Sequence, residues 1–454
     1  MTPGYTIIIR AALVLGLVGI FSARCSADGS MPNIVLITVD CLRADHLSCY
    51  GYPRKTTPAL DKLAAEGMLF LNAFAQSSHT PTAMCSLLTG TSPVVHGVKA
   101  WGMPVNARLD TLPGVLRRQG YTTYFFIANT FFLSGLPGYS RTFDVCGEFS
   151  SAEEITEKIL EQLQPGAGKP QFIWAHYMNV HRPYSPLPAE AGLFMHDAWY
   201  DANKNLPIVP QVWDSYGIGG IPLNLAQECG HPEEQHNPDY YTALYDAAIV
   251  RVDRLIGRLA QQFAAPARRQ TLLIVTADHG EMLGEQDLYF HHGGFLFEPL
   301  LRVPLIFWGP MVPRRRCEFP VGPHIDIPAS IFALLRIPPP ASFEGVDVLG
   351  RRAPRKRFLF ADEGRFVWCV RDAAWKLLCR RDMHTPAVEY ELYYLKDDPA
   401  ESVNLVKRRP DVFARLREQL QRYWQRGSDT GRLESENNLD AATQNALRAV
   451  GYLQ

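Results

Sequence analysis

The chain has 454 residues, of which 47% are hydrophobic and 20% charged, and its formal net charge is −1 at pH 7. This length accommodates a large domain and a smaller one, and the composition is that of an ordinary globular protein. A nearly neutral chain gives no electrostatic reason to expect binding to nucleic acid or to an anionic membrane surface.

The first 30 residues have the pattern of a secretory signal peptide. A mostly apolar stretch at residues 11–23 is too short to span a bilayer comfortably but fits the apolar part of a signal. We therefore expect export to the periplasm or the cell exterior, and no stable membrane span. Lipid attachment at Cys25 is disfavoured because Arg24 precedes it. The alternatives are an uncleaved anchor and a true start at Met31.

Apolar and amphipathic segments alternate along residues 31–345. Continuous apolar runs predict buried strands, and capped amphipathic runs predict helices. The predicted strands are 33–39, 68–74, 121–128, 171–177, 272–276 and 303–308. The predicted helices are 57–66, 81–89, 151–163, 240–263 and 325–335. This alternation is typical of an α/β fold with a doubly wound, mixed but mainly parallel sheet flanked by helices.

Two further regions depart from that alternation. Residues 187–234 are rich in Pro, Gly, Asn and aromatics, and we expect a lid-like insertion there because such long loops are usually functional. Residues 346–454 form a predicted C-terminal α+β subdomain. Its predicted elements are short antiparallel strands at 358–362, 366–370, 375–379 and 390–395 and a helix at 410–424. Cys369 and Cys379 lie on a predicted hairpin and are the first pair to test for a disulfide.

Three polar residues follow two of the buried strands. Asp40 ends the first strand, and Asp278-His279 follow the strand at 272–276. In a doubly wound sheet, ligands bind at the carboxyl ends of the strands. Carboxylate oxygens and an imidazole suit a divalent cation such as Mn²⁺, Zn²⁺ or Ca²⁺. Asp40 taken by itself could equally be a turn residue.

Thr80 precedes a proline at the predicted start of a helix that ends at Gly90. A threonine followed by proline is a common N-cap arrangement, so Thr80 could be only a cap. However, a hydroxyl at a helix N-terminus also meets unpaired N–H groups and the positive end of the helix dipole. That field favours an alkoxide and an incoming oxyanion, which makes Thr80 a candidate nucleophile.

Several ordered motifs together resemble the sulfatase family of the alkaline-phosphatase superfamily. The stretches that carry the resemblance are Asp40-Cys41-Leu42-Arg43-Ala44-Asp45-His46, Ser86-Leu87-Leu88-Thr89-Gly90 with His96-Gly97, Asp278-His279-Gly280-Glu281, and Glu391-Leu392-Tyr393-Tyr394-Leu395. The resemblance implies an alkaline-phosphatase-like fold with a catalytic domain at residues 31–345. It also implies one divalent cation, commonly Ca²⁺ in the family, held by Asp40, Thr80, Asp278 and His279.

The nucleophile position departs from the family pattern. Thr80 stands where sulfatases carry the Cys or Ser that becomes formylglycine, but the C/S-x-P-x-R modification signal is absent. Pro81 comes one place early, and Met84 replaces the arginine. Cys41 stands in place of the second aspartate of the opening motif. We therefore expect no formylglycine, and none at Cys85, which has no P-x-R after it.

The resemblance also implies residues that contact the transferred group. His181 and His292 are the catalytic candidates, although each could be a structural histidine. Arg43 and Asn129 are further substrate-binding candidates, and Asn129 would replace only weakly a cationic contact that the family usually has. Three other histidines are interpreted as structural: His46, His176 and His291.

The unmodified threonine bears on the substrate. A formylglycine hydrate expels sulfate by collapsing to an aldehyde, whereas a threonine ester cannot. A threonine phosphate ester can be resolved by attack at phosphorus, so we expect a phosphate monoester, diester or phosphonate as substrate. The alternatives are a sulfate ester and a catalytically inactive anion-binding relative. The substrate could be a small molecule or an ester of a glycan or lipid.

Overall fold

The computed structural model describes residues 31–128, 132–163, 168–209, 218–230, 235–265, 270–350, 353, 356–364, 366–382, 385 and 387–429. The predicted signal peptide and the predicted substrate contact Asn129 lie outside these residues. Among the described helices, none combines the length and the apolar character that crossing a membrane requires.

The described elements are numbered in chain order. The strands are β1 (Asn33–Val39), β2 (Met68–Phe70), β3 (Ala73–Phe74), β4 (Thr122–Ile127), β5 (Val145–Glu148), β6 (Gln171–Tyr177), β7 (Ile208–Val209), β8 (Ile221–Pro222), β9 (Thr271–Ala277), β10 (Met282–Leu283), β11 (Tyr289–His291), β12 (Arg302–Val303), β13 (Leu305–Trp308), β14 (Arg315–Cys317), β15 (Leu359–Glu363), β16 (Val367–Arg371), β17 (Trp375–Arg381) and β18 (Val388–Tyr394). The helices are α1 (Pro58–Glu66), α2 (Thr80–Thr89), α3 (Pro93–His96), α4 (Leu112–Arg118), α5 (Phe132–Gly135), α6 (Ala152–Gln162), α7 (Leu223–Glu228), α8 (Pro238–Phe263), α9 (Glu298–Leu301), α10 (Pro323–Leu335) and α11 (Pro410–Asp429).

An eight-stranded sheet forms the centre of the large domain. Its strand order is β14-β2-β13-β9-β1-β6-β4-β5. All of these strands run in one direction except β13, which is antiparallel to both of its neighbours. The central strands β6 and β9 are buried along their whole length, which explains their continuous apolar sequences. The predicted mixed, mainly parallel α/β sheet is confirmed.

Two local predictions differ from the structure. The strand predicted at 68–74 is two short strands, because β2 joins the main sheet while β3 pairs with β12. Helix α2 begins at Thr80 rather than Pro81, and His79 is its N-cap residue. The helix ends at Gly90 as predicted, in the left-handed conformation that glycine adopts without steric cost.

The described part of the predicted insertion also has more structure than a loop. It contains β7, β8 and α7, whereas the sequence showed little periodicity there. Asp197 within it accepts hydrogen bonds from the Arg54 side chain at 2.7 and 2.9 Å. This buried arginine therefore ties the insertion to the large domain.

The C-terminal subdomain is a four-stranded antiparallel sheet, β15 to β18, covered by α11. Cys369 and Cys379, the first pair to test for a disulfide, are both free thiols in the structure. Cys369 pairs with Leu378, and Cys379 pairs with Trp368, which leaves the two cysteines one residue out of register. Because neighbouring residues of a strand point to opposite faces, Cys379 packs toward α11 and Cys369 toward the large domain.

A buried ion cluster joins the subdomain to the large domain. The Lys376 ammonium lies 3.1 Å from Glu298 and 2.7 Å from Glu401, and the Arg371 guanidinium lies 2.6 Å from Glu298. The Lys376 side chain is fully buried and that of Glu401 is 1% exposed. Removing one partner of such a cluster leaves an uncompensated buried charge, which is costly.

We therefore expect Lys376→Met to lower the free energy of unfolding by about 3–5 kcal/mol. Equilibrium urea unfolding followed by circular dichroism measures the change. Lys62→Met is the matched control, because Lys62 is 75% exposed and lies 4.0 Å from Glu66. Surface pairs of this kind contribute little, so the control should unfold like the parent protein. Equal stability of the Lys376 variant and the parent would contradict the assignment.

Candidate active site

Asp40, Asp278 and His279 lie together at the carboxyl edge of the central sheet. Strands β1 and β9 are parallel neighbours with Val39 opposite Ala277, so the residues that follow them leave the sheet side by side. All three side chains are buried. The His279 Nε2 atom lies 3.4 Å from Asp278 Oδ2 and 3.8 Å from Asp40 Oδ1.

Thr80 faces this group across the end of α2. Its Oγ1 atom lies 3.0 Å from His279 Nε2. The His279 Nδ1 atom lies 2.9 Å from the Gly280 carbonyl oxygen, which accepts only if Nδ1 carries the proton. Burial lowers the pKa of this imidazole, but the negative charges of Asp278 and Asp40 outweigh the burial and raise the pKa. Thr80 is the first residue of α2 and not its N-cap residue, which is His79.

The donor atoms of this group fit a divalent cation. Asp278 Oδ2 is buried and accepts no hydrogen bond from any described residue. Burial raises the pKa of the Asp278 carboxyl, and the negative charge of Asp40 raises it further. A cation would compensate two adjacent buried carboxylates that otherwise repel each other. Two carboxylates, an imidazole lone pair and a hydroxyl are a suitable ligand set for Ca²⁺, Mn²⁺ or Zn²⁺.

His176 belongs to the same group, although the sequence reasoning treated it as structural. It lies opposite Thr38 in the pairing of β1 with β6, and its Nδ1 atom is 2.8 Å from the Thr38 hydroxyl. Its Nε2 atom is 3.3 Å from Asp40 Oδ2. The ligand atoms of Asp40, His176 and Asp278 lie within 4.8 Å of one another. The available signal was its place near the end of a strand adjacent to β1.

The two predicted catalytic histidines stand beside the group. The His292 ring stacks on His279 at a centroid distance of 4.8 Å and meets the edge of His181 at 5.0 Å. The His181 Nδ1 atom lies 2.5 Å from the Arg182 carbonyl oxygen, to which it donates. The structure therefore brings both histidines next to His279, where an anion held near Thr80 could contact them.

Arg43 was predicted to bind substrate, but its contacts are internal. Its guanidinium donates to both Asp45 oxygens, at 3.0 and 2.8 Å, and to the Glu281 carbonyl oxygen at 3.0 Å. It also forms an ion pair of 2.7 Å with Glu285. The Arg43 guanidinium is buried, and these partners use its hydrogen-bond donors. We therefore exclude Arg43 from the substrate contacts.

The segment before Thr80 is held by the C-terminal subdomain, which sequence reasoning did not anticipate. The Glu363 carboxylate of β15 lies 2.9 Å from the Ser77 hydroxyl and 3.1 Å from the Ser78 hydroxyl. Ser78 also lies 2.6 Å from the Phe295 carbonyl oxygen. No sequence pattern indicates these contacts, because they join parts of the chain that are far apart.

Comparison with known proteins finds sulfatases by sequence and a related hydrolase by fold. A family model described as Sulfatase matches residues 32–337. The uncharacterized sulfatase YidJ of Escherichia coli (strain K12) is 25% identical over 442 residues, which cover 86% of this chain and 87% of that protein. The Delta 4,5-hexuronate-2-O-sulfatase of Bacteroides thetaiotaomicron is 23% identical, with coverage of 83% and 85%. The fold is also similar to that of the phosphonate monoester hydrolase of Silicibacter pomeroyi, with a TM-score of 0.69, 20% identity and coverage of 87% and 96%.

Proposed function

Since the chain belongs to the sulfatase family of hydrolases, we propose that it is a metal-dependent hydrolase of phosphate or phosphonate esters with Thr80 as its nucleophile. The observation that carries the proposal is the Thr80 hydroxyl, which lies 3.0 Å from His279 Nε2 beside the two buried carboxylates of Asp40 and Asp278. Asp40, Asp278, His279 and Thr80 would hold one divalent cation. When bound, the cation supplies Lewis-acid stabilisation of an oxyanion and lowers the pKa of a neighbouring hydroxyl.

The side chains around the cation have separate roles in the reaction. The proton of the Thr80 hydroxyl passes to solvent as Oγ1 attacks phosphorus in line, which forms a threonine phosphate or phosphonate ester. His181 and His292 orient the oxygens of the anion, and one of them donates a proton to the leaving alcohol. Water resolves the ester by attack at phosphorus, or an acceptor alcohol does so in a transfer reaction.

The choice of phosphorus over sulfur rests on the chemistry of an unmodified hydroxyl. A threonine sulfate ester lacks the second hydroxyl of a formylglycine hydrate and has no route to release sulfate by collapse to an aldehyde. Attack of water at phosphorus releases phosphate or phosphonate and regenerates the Thr80 hydroxyl without that route.

Sulfate ester hydrolysis is the second candidate. The observation in its favour is that the curated relatives matched over most of the chain have names that describe sulfatases. The natural substrate in either case would be a small molecule or an ester of a glycan or lipid. The N-terminal signal pattern at residues 1–30 supports action outside the cytoplasm.

A substrate panel separates these candidates. We expect the purified protein, supplied with Ca²⁺, Mn²⁺ or Zn²⁺, to hydrolyse p-nitrophenyl phosphate, bis-p-nitrophenyl phosphate or a phenylphosphonate ester. The kcat/KM for the best phosphorus ester should exceed that for p-nitrophenyl sulfate by about tenfold or more, a difference of about 1.4 kcal/mol in transition-state binding. A preference for the sulfate would overturn the choice of phosphorus. Absence of turnover on all four esters, with no bound metal, would identify an inactive relative.

A further inference from the structure

We propose that Arg43 and Gln286 are positioning residues, which fix the place of His292 by holding the β-hairpin that leads to it. This proposal rests on the proposed function, in which His292 contacts the transferred group. The hairpin consists of β10, β11 and the turn between them at residues 284–288. Strand β10 follows His279 closely, and β11 ends directly before His292. The hairpin is therefore the connection between a proposed metal ligand and a proposed contact of the anion.

The hairpin is poorly suited to keep this shape by itself. Strands β10 and β11 are two and three residues long, and their register shifts between Met282 and Leu283. An isolated two-stranded hairpin is marginally stable at best. Three non-glycine residues of the hairpin also have positive φ angles, namely Gln286 (55°), Asp287 (61°) and Phe290 (53°). Such conformations cost free energy and persist only where surrounding contacts enforce them.

Arg43 attaches the hairpin to the start of the large domain. Its guanidinium forms an ion pair of 2.7 Å with Glu285 in the turn and donates to the Glu281 carbonyl oxygen at 3.0 Å. Arg43 is 3% exposed, and Asp45 and the Tyr245 hydroxyl hold it in place. A planar guanidinium holds several partners in one arrangement because its donors have a fixed geometry. One buried side chain therefore contacts both the turn and the residue before β10.

Gln286 attaches the tip of the turn to the C-terminal subdomain. Its Nε2 atom donates to the carbonyl oxygens of Ala400 and Glu401, at 2.8 and 3.0 Å. The insertion supplies a further contact, because the Gly219 backbone N–H donates to the Asp287 carbonyl oxygen at 2.9 Å. Three separate parts of the chain thus enforce the strained backbone of the turn.

These attachments affect the reaction through His292. Its ring stacks on His279 at a centroid distance of 4.8 Å, and its Nδ1 atom lies 3.2 Å from Glu281 Oε1. A displacement of about 1 Å of a group that contacts the reacting atoms can cost about 10²-fold in rate. Loss of an attachment would let the turn relax toward unstrained angles and would move the ring. Arg43 thus affects the reaction without contacting the anion.

A double-mutant cycle tests the proposal in the full chain. Glu285→Ala and Gln286→Ala each remove one attachment from a turn that is at least partly exposed, so these variants should fold even if Arg43→Met does not. Each should lower kcat for the ester that the protein hydrolyses best by about tenfold, with KM changed by less than about twofold. In a His292→Ala background, the same substitutions should lower kcat by less than about twofold, because the ring through which they act is gone. An equal loss in both backgrounds would overturn the proposal.

NMR of the histidine side chains separates this proposal from the proposed function, because it requires no activity. The His292 imidazole signal is identified by its absence in His292→Ala. Both turn variants should shift this signal and leave that of His96, a buried histidine of α3, unchanged. A shifted His292 signal together with no turnover of any ester would contradict the proposed function and support the positioning of His292. An unchanged His292 signal in both variants would overturn the positioning proposal whatever the activity.

The matched control is Asp287→Asn. This substitution changes an exposed carboxylate of the same turn and leaves the Arg43 ion pair and the Gln286 hydrogen bonds in place. The variant should keep the parental kcat and the parental His292 signal. A shift as large as that in Glu285→Ala would show that any change in the turn is sufficient, which would overturn the specific role of the two attachments.

Discussion

Thr80→Ala is expected to reduce kcat/KM for the best phosphorus ester by about 10³-fold or more, because loss of a nucleophile removes the covalent route. Thr80→Ser should retain a substantial part of the activity, since serine also has a hydroxyl on Cβ at the same backbone position. Both variants should bind the cation with at most a modest loss of affinity, because Asp40, Asp278 and His279 are unchanged. Steady-state kinetics and metal content are the measurements.

The matched control for this prediction lies two residues further along α2. Thr82 is buried like Thr80, and its Oγ1 atom accepts and donates no hydrogen bond among the described residues. Thr82→Ala should therefore keep kcat/KM within about twofold of the parent value. Turnover that persists in Thr80→Ala would remove Thr80 from the mechanism, whichever ester is the substrate. A labelled threonine ester trapped on the Thr80 peptide, seen by intact peptide mass, would support its covalent role directly.

Asp278→Asn is expected to have an effect of similar size through loss of the proposed cation. The substitution removes one of two buried carboxylates that face His279. Losing the electrostatic stabilisation of an ion corresponds to several kcal/mol, and a loss of about 4 kcal/mol is about 10³-fold in rate. A chelator should inactivate the parent protein, and added divalent cation should restore it. The variant should regain no activity with added cation.

Thermal unfolding gives a second readout for this residue. A ligand that binds only the folded state raises its stability, so added cation should raise the Tm of the parent more than that of the Asp278 variant. Asp287→Asn is the control, because this exposed carboxylate lies in the same segment after β9 and outside the buried group. It should behave like the parent in both assays. An Asp278 variant with parental activity and metal content would exclude this residue as a ligand.

The fold was largely predictable because its signals are local. Buried central strands give continuous apolar runs, and Asp40 and Asp278 follow two of them directly. The end of α2 was predictable for the same reason, since Gly90 has a positive φ that a C-terminal glycine supplies. Such features depend on residues close together in the sequence, where hydrophobic periodicity and cap residues carry the information.

The site was less predictable because contacts between distant segments decide it. The role of His176 depends on its register opposite Thr38, and the internal contacts of Arg43 depend on where Glu281 and Glu285 lie. The cysteine pair illustrates the same limit, because a shift of one residue between neighbouring strands is enough to separate two side chains. Neither the register of strands nor the direction of a long side chain is encoded in a short motif.

The contact of Glu363 with Ser77 and Ser78 has a consequence for how such proteins diversify. A carboxylate supplied by the smaller sheet fixes the approach to the nucleophile, although that sheet carries none of the proposed chemistry. The smaller sheet therefore contributes to the geometry of the segment that leads to Thr80. If relatives exchanged their C-terminal sheets, Ser77 and Ser78 would meet a different side chain in place of Glu363. The position of the attacking oxygen would then depend on the C-terminal sheet as well as on the domain that holds the metal ligands.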